Sequence, residues 1–200
     1  MSGIILIQTH TKNTTMKTFC DRIDMIRQMP GHEGVEVGTY RGDFAECILG
    51  THVRKLHLVD PYKHYPEYGA DSCNQSDAEQ ERVYQSVLRR FERHFATGRL
   101  HIHRRMSLDA IMEFVGNPVD WVYLDANHQK KFVLEDLTGW ALVIKPGGYL
   151  MGHDYGDFPQ AQEIGCGVKE AVEEFCKLTP WKLWALTHEP YSASCCLRRE

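Results

Sequence analysis

Short apolar runs alternate along this chain with segments whose apolar residues recur at helical spacing, and this alternation restricts the folds open to it. The predicted strands are residues 34–37, 56–60, 100–103, 121–125 and 148–154. The predicted helices are residues 44–49, 83–95, 132–140 and 168–175. Regular strand–helix alternation is typical of βαβ units, in which helices cover a mostly parallel sheet. We therefore expect a doubly wound α/β fold.

The last part of the chain breaks the alternation. Residues 182–187 and 191–197 are strand candidates separated by a turn at 188–190. Two strands joined by a short turn predict a closing antiparallel hairpin, which brings the expected sheet to seven strands. No segment rich in Pro, Gly or Ser marks a boundary, so we expect residues 1–200 to form a single domain.

Two further segments flank the first strands. An apolar stripe through Met16, Phe19, Ile23 and Ile26 predicts an N-terminal helix within residues 1–30, after capping residues at 14–15. Residues 61–80 form a polar insertion that we expect to cover a ligand site. Its Tyr62, Tyr65 and Tyr68, with His64, either line a pocket or anchor the loop to the surface.

Composition excludes several classes of protein. Apolar residues are 42% and charged residues 25% of the 200, with a net charge of −4, as in an ordinary soluble globular protein. The basic residues are dispersed, so a nucleic-acid partner is not expected. No apolar run approaches the roughly 20 residues of a membrane helix and no signal peptide is evident, which predicts a cytoplasmic protein. The seven scattered cysteines are expected to be reduced thiols.

A glycine-containing turn follows the first predicted strand, in the sequence Glu-Val-Gly-Thr-Tyr-Arg-Gly at 36–42. Gly38 and Gly42, on either side of Tyr40, allow the backbone to bend sharply and to approach a ligand closely. The spacing differs from the G-x-G-x-x-G of dinucleotide sites. Glu36 would repel a pyrophosphate and suits a ligand with a positive charge. Crevices at such strand ends are where open α/β sheets bind ligands.

Asp60 ends the second predicted strand, eighteen residues after Gly42. A carboxylate at this place in an α/β sheet is suited to accept hydrogen bonds from both ribose hydroxyls of a nucleoside. Together, the glycine turn and this acid favour a nucleoside ligand over a purely structural turn.

Four ordered motifs give the chain a family resemblance. It resembles the class I S-adenosylmethionine-dependent methyltransferases over residues 34–175. More narrowly it is similar to methyltransferase family 24, which includes macrolide sugar O-methyltransferases and cephalosporin hydroxylase-like proteins. The motifs are EVG at 36–38 with Gly42, LVDP at 58–61, WVYLDANH at 121–128 and GGYLMGHDY at 147–155.

The resemblance implies a Rossmann-like fold and S-adenosylmethionine as the cofactor. The first motif would hold the amino-acid end of the cofactor, and Asp60 its ribose. Ser107, in the turn after the third strand, would approach the adenine. The cofactor-binding residues implied in this way are Glu36, Gly38, Tyr40, Gly42, Asp60, Ser107 and Asp125.

Asp125, His128, His153 and Asp154 lie at or just after the ends of two strands that should be neighbours, so we expect them to converge. Such a cluster either binds a divalent cation that lowers the pKa of an acceptor hydroxyl or removes its proton directly. We expect His128 to be the general base, with His153 as second choice and Asp154 as a further catalytic residue. Family members that use a metal supply an Asp from the fourth motif and two acidic residues from the fifth, so Asp125 and Asp154 match this pattern and His153 departs from it. The candidate ligands are Asp125, His153 and Asp154, for Mg²⁺ or Mn²⁺, and His153 as a ligand would favour manganese, iron or zinc over magnesium.

The expected reaction is O-methylation of a sugar or a small natural-product or metabolite hydroxyl, with a small molecule as the partner and a homodimer as a possible assembly. A nicotinamide-dependent reductase and a non-catalytic cofactor-binding module remain as alternatives, with an iron hydroxylase as a minor one. Asp136, on the helix after the fourth strand, is expected to face solvent or cap a turn and is assigned no chemistry.

Overall fold

The computed structural model describes residues 16–68, 72–156, 165–189 and 192–200, and within them eight strands form one sheet. The strands are β1 (Lys17–Phe19), β2 (Glu33–Val37), β3 (Lys55–Val59), β4 (Leu100–His103), β5 (Val119–Leu124), β6 (Ile144–Tyr155), β7 (Trp181–Thr187) and β8 (Ala193–Arg199). Their order is β1-β7-β8-β6-β5-β2-β3-β4. All neighbours are parallel except β8, which is antiparallel to both β6 and β7.

Helices connect the strands and pack on the sheet. They are α1 (Arg22–Gln28), α2 (Asp43–Leu49), α3 (Asp77–Arg90), α4 (Glu92–Ala96), α5 (Ser107–Ala110), α6 (Lys130–Trp140) and α7 (Val168–Leu178). Short 3-10 turns cover Pro66–Tyr68, Ile111–Phe114 and Ala141–Val143. None of the described helices is both long and apolar enough to cross a bilayer. The seven cysteines are free thiols, as the sequence predicts.

The predicted doubly wound sheet with a C-terminal antiparallel hairpin is confirmed, but the count of seven strands is wrong. The additional strand is β1, which pairs in parallel with β7 through Lys17 and Ala185 at the edge of the sheet. With three residues, β1 is too short to show the alternation by which strands are recognised in a sequence.

The prediction of one helix spanning the N-terminal stripe is also wrong. Phe19 belongs to β1, and α1 starts only at Arg22. Asp21 caps α1, because its side chain accepts a hydrogen bond of 2.7 Å from the backbone N–H of Asp24. Ile23 and Ile26 lie on that helix, so only this part of the predicted stripe is helical. The predicted caps at 14–15 lie outside the described residues.

Close packing between β2 and β5 explains one glycine of the core. Gly34 is paired in register with Trp121, whose side chain is fully buried. A Cβ on Gly34 would lie 2.2 Å from the indole ring, so only glycine leaves room for this tryptophan. The β2–β5 pair is also where the strand order reverses, with β3 and β4 on one side and β6 on the other.

The register of the parallel strands brings four loops to one edge of the sheet. Val37 pairs with Val59 and with Leu124, and Leu124 pairs with Gly152. The residues that follow these positions therefore meet at the carboxyl ends of β2, β3, β5 and β6. Ligands of open α/β sheets bind at this edge, next to the point where the strand order reverses.

Candidate functional site

A cavity of about 550 Å³ opens at this edge of the sheet. Its walls come from the turn after β2, the end of β3, the turn after β5, the start of α5 and one face of α6. The predicted cofactor residues that line it are Glu36, Gly38, Tyr40, Asp60, Ser107 and Asp125. Among the predicted catalytic residues, His128 lines the cavity. Gly42, His153 and Asp154 are outside the set of described residues that form its wall.

The turn after β2 needs glycine at two of its positions. Gly38 has a φ of +89°, and a Cβ there would lie 2.1 Å from the carbonyl oxygen of Asp125. Gly42 has a φ of +80° and precedes α2, where a Cβ would lie 2.6 Å from the ring of Phe91. Both positions therefore require glycine, Gly38 for the close approach to the turn after β5 and Gly42 for packing behind the cavity.

Glu36 lies in β2, two residues before Gly38, and is buried, with an exposed fraction of 2%. Within the described residues its Oε2 has no hydrogen-bond partner. Burial raises the pKa of Glu36 well above its usual value, and the negative charge of Asp125 adds to this effect. A buried carboxyl oxygen without a partner, at the wall of a cavity, is suited to a ligand that brings a donor, above all a charged amino group.

Asp60 is held at the end of β3 by backbone donors on both sides. Its Oδ2 accepts from the N–H of Tyr40 at 2.8 Å, and its Oδ1 accepts from the N–H of Tyr62 at 2.8 Å. Burial raises the pKa of Asp60, against the lowering effect of these hydrogen bonds. A carboxylate accepts about four hydrogen bonds, so the fixed group retains acceptor capacity for a diol in the cavity.

Arg22, on α1, lines the cavity, although it belongs to none of the sequence motifs. Its Nη1 lies 3.2 Å from Asp125 Oδ2 and its Nε lies 3.8 Å from Glu189 Oε1. The guanidinium stacks on Phe44, with its carbon 4.4 Å from the ring centroid. Arg22 thus places a fixed positive charge at the same end of the cavity as the buried Glu36.

The four predicted strand-end residues do meet. His128 Nε2 lies 3.0 Å from Asp154 Oδ2 and 3.4 Å from Asp125 Oδ1. His153 Nδ1 lies 3.1 Å from Asp154 Oδ1 and 3.5 Å from Asp125 Oδ1. Two imidazoles and two carboxylates therefore alternate in one cluster, of which Asp125 and His128 face the cavity.

The cluster fixes the charge of its members. Burial opposes ionisation of Asp125, but hydrogen bonds from His128 and His153 outweigh it and lower the pKa of Asp125. Burial likewise lowers the pKa of His153, but the hydrogen bonds and charges of Asp125 and Asp154 outweigh it and raise that pKa to about 10. His153 is therefore protonated at neutral pH and is not available as a proton acceptor. Of the two histidines, His128 is the one that lines the cavity.

The same cluster contains a potential metal-binding group. Asp125, His128 and Asp154 each offer one ligand atom, and these atoms lie within 4.8 Å of one another. The set differs from the predicted one, because His128 occupies the place expected for His153. An imidazole with two carboxylates is a donor set suited to manganese and, less well, to magnesium.

Ser107 begins α5 and joins a buried hydrogen-bond chain. Its hydroxyl lies 2.5 Å from Asp136 Oδ1 and 2.8 Å from Nε1 of Trp140, both on α6. Asp136 is 7% exposed, so the prediction that it faces solvent is wrong. Its burial follows from α5 packing over α6, a contact that the pattern of α6 alone does not reveal. Burial raises the pKa of Asp136 to about 7.

The insertion after β3 contributes an aromatic wall. Tyr65 and Tyr68 line the cavity with Phe132 of α6, and their ring centroids are 5.1 Å (Tyr65–Tyr68) and 5.4 Å (Tyr68–Phe132) apart. Tyr62 instead is buried in the core against Tyr84. Of the two predicted roles for these tyrosines, Tyr65 and Tyr68 therefore line the pocket and Tyr62 anchors the loop.

The sequence matches the model of a known protein family. The family model described as methyltransferase domain matches residues 35–155, more than half of the chain. No curated protein matches the chain closely enough to be counted as a relative.

Three solved structures show the extent of the structural similarity. The O-methyltransferase TomG from Streptomyces achromogenes, in complex with SAM, has a TM-score of 0.59 at 14% identity, covering 88% of this chain and 76% of that one. The N-methyltransferase NodS from Bradyrhizobium japonicum WM9, in complex with S-adenosyl-L-homocysteine, has a TM-score of 0.59 at 13% identity, covering 84% and 78%. A putative rRNA-methylase from Clostridium thermocellum has a TM-score of 0.62 at 12% identity, covering 89% and 95%. At these identities the likeness shows a common fold.

Proposed function

The chain belongs to the methyltransferase domain family, in its family 24 branch, and from this premise we propose that it uses S-adenosylmethionine to methylate a hydroxyl oxygen of a small acceptor. The observation that carries the cofactor assignment is the buried Oε2 of Glu36, which lacks a partner among the described residues. Glu36 is followed two residues later by Gly38, at which the turn after β5 leaves no room for a side chain. A sugar or natural-product hydroxyl is the leading acceptor.

The cavity residues fit the cofactor in three parts. Glu36 and Arg22 lie at one end, where the positive charge of Arg22 complements the carboxylate of the amino-acid group. The ammonium group of the ligand would favour the ionised form of Glu36, whose pKa is raised by burial in the free protein. Asp60 offers acceptors to the ribose diol, and Ser107 lines the cavity at the start of α5, which follows β4, the strand next to β3. Bound in this way, the cofactor supplies an electrophilic methyl group on its sulfonium. Tyr40 supports the site through the hydrogen bond from its backbone N–H to Asp60.

The residues of the strand-end cluster would prepare the acceptor. His128, at the cavity wall, takes the proton of the acceptor hydroxyl as general base. Asp154, 3.0 Å from His128 Nε2, orients the imidazole and stabilises its protonated form. His153 acts indirectly, because its positive charge keeps Asp125 and Asp154 ionised beside His128. The protein thereby contributes alignment and proton removal.

A divalent cation would be held by Asp125, His128 and Asp154, where it would lower the pKa of a nearby hydroxyl. In that case His128 is a ligand and not the base, so metal dependence distinguishes the two roles. The imidazole in the donor set makes manganese the preferred ion.

The fold leaves the accepting atom open, because the named structural neighbours include both an O- and an N-methyltransferase. Two features of the cavity support a small hydroxyl acceptor. A hydroxyl needs a base at neutral pH, and a base beside two carboxylates faces the cavity. The aromatic wall of Tyr65, Tyr68 and Phe132 would stack on a sugar face or a planar ring.

Incubation of the protein with methyl-deuterated S-adenosylmethionine and a panel of hydroxylated and aminated acceptors tests this proposal. We expect mass spectrometry to detect deuterated methyl ethers of a sugar or phenol and equimolar S-adenosylhomocysteine. Parallel reactions with Mn²⁺, Mg²⁺ or a chelator show whether a cation takes part. Labelled amines without any labelled ether would contradict O-methylation.

A further inference from the structure

The hydrogen-bond chain from Trp140 through Ser107 to Asp136 leaves one carboxyl oxygen available at the cavity wall. An indole N–H is only a donor, so the Ser107 hydroxyl accepts from Trp140 and must donate its own proton to Asp136 Oδ1. Within the described part of the chain, no hydrogen bond is formed to Oδ2 of Asp136. Asp136 lines the cavity, which makes Oδ2 the oxygen through which it can contact a ligand.

The expected course of the cofactor leads to this oxygen. Glu36 and Arg22 define the amino-acid end beside β2 and β5, and Asp60 defines the ribose position at the end of β3. The next strand in the sheet is β4, and α5, which follows it, begins with Ser107. A nucleoside anchored at Asp60 and extending away from Glu36 therefore brings its base to Ser107 and Asp136.

On this geometry, and resting on the proposed function, we infer that Asp136 is the residue that selects the nucleobase of the cofactor. Its Oδ2 accepts a hydrogen bond from the exocyclic amino group of adenine. Ser107 and Trp140 hold the carboxyl in place for this contact by engaging Oδ1. Nothing in the motif pattern assigns this role to Asp136.

The protonation state of Asp136 decides which base it favours. The ionised carboxyl accepts from the amino group of adenine, whereas the protonated carboxyl donates from Oδ2 to the carbonyl oxygen of hypoxanthine. With a pKa of about 7, both states are populated near neutral pH. Glu135 of the same helix and Tyr68 of the Pro66–Tyr68 turn are the titratable groups that interact electrostatically with it. The preference for adenine should therefore increase as pH rises through about 7.

Calorimetric titration with S-adenosylhomocysteine and S-inosylhomocysteine at pH 6 and pH 8 tests the inference. Both ligands share the amino-acid end and the ribose, so the ratio of their dissociation constants isolates the base. We expect the wild type to favour the adenine ligand about 10- to 100-fold at pH 8, as for a hydrogen bond to a charged group. The ratio should fall at pH 6. In Asp136→Asn it should lose its pH dependence.

Thr138→Ala is the matched control, because Thr138 lies two residues after Asp136 on α6 but is exposed, uncharged and not among the residues that line the cavity, and it should preserve the wild-type ratio. A wild-type ratio that is the same at both pH values overturns the inference without any variant. An Asp136→Asn ratio that keeps the wild-type pH dependence also overturns it. If the wild type binds neither ligand, the proposed function itself fails, which is a distinguishable result.

Discussion

A His128→Gln variant is expected to transfer methyl groups about 10²–10⁴-fold more slowly than the wild type, the range typical for loss of a general base. Glutamine keeps a polar group of similar reach but does not take up the proton of the acceptor. S-adenosylhomocysteine should bind as tightly as before, because Glu36, Arg22 and Asp60 are unchanged. Single-turnover rates of methyl transfer, together with calorimetric affinities for the product, measure both quantities.

His153→Gln is the comparison that makes this result informative. His153 is protonated at neutral pH and lies behind the cavity wall, so its replacement should reduce the rate less than replacement of His128. An equal or greater loss in His153→Gln, with His128→Gln nearly normal, would contradict the assignment of the base. If added Mn²⁺ stimulates the wild type but not His128→Gln, His128 is a metal ligand.

An Arg22→Met variant should bind S-adenosylhomocysteine about 10- to 100-fold more weakly, because it loses a charged hydrogen bond to the carboxylate of the ligand. Binding of 5′-methylthioadenosine, which has no amino-acid group, should be nearly unchanged. Methionine is an unbranched apolar side chain that can still contact the Phe44 ring on which the guanidinium stacks, which limits damage to the fold. Isothermal titration with both ligands measures the two affinities.

Arg27→Met, in the last turn of the same helix, serves as the control and should bind both ligands like the wild type. Equal weakening of both ligands in Arg22→Met would show that Arg22 stabilises the cavity as a whole through Asp125 and Glu189. That result would contradict its assignment to the amino-acid end.

The central part of the fold is predictable because its signals are local. The strands buried on both faces appear as short apolar runs, and each helix between them shows its own spacing of apolar residues. The turn at Gly38 and the acid at Asp60 lie directly at strand ends, so their meeting at one edge follows from parallel pairing. The convergence of Asp125, His128, His153 and Asp154 follows for the same reason.

The features that the sequence does not reveal depend on contacts between residues that are distant along the chain. β1 exists only through pairing with β7, and its three residues carry no pattern of their own. Arg22 reaches the site through Asp125, 103 residues later in the chain. Asp136 is buried where α5 packs over α6 and accepts a hydrogen bond from Ser107, 29 residues earlier in the chain. In each case the free energy that fixes the residue comes from a tertiary contact, so the local sequence gives no indication of it.

Calorimetric titration of the purified protein with S-adenosylmethionine, S-adenosylhomocysteine and NADH tests the central claim most directly. We expect one binding site per chain for each of the first two ligands and no heat of binding for NADH, because the turn with Glu36 suits an amino group and repels a pyrophosphate. Absence of binding for both sulfur-containing nucleosides, or binding of NADH in their place, would contradict the account.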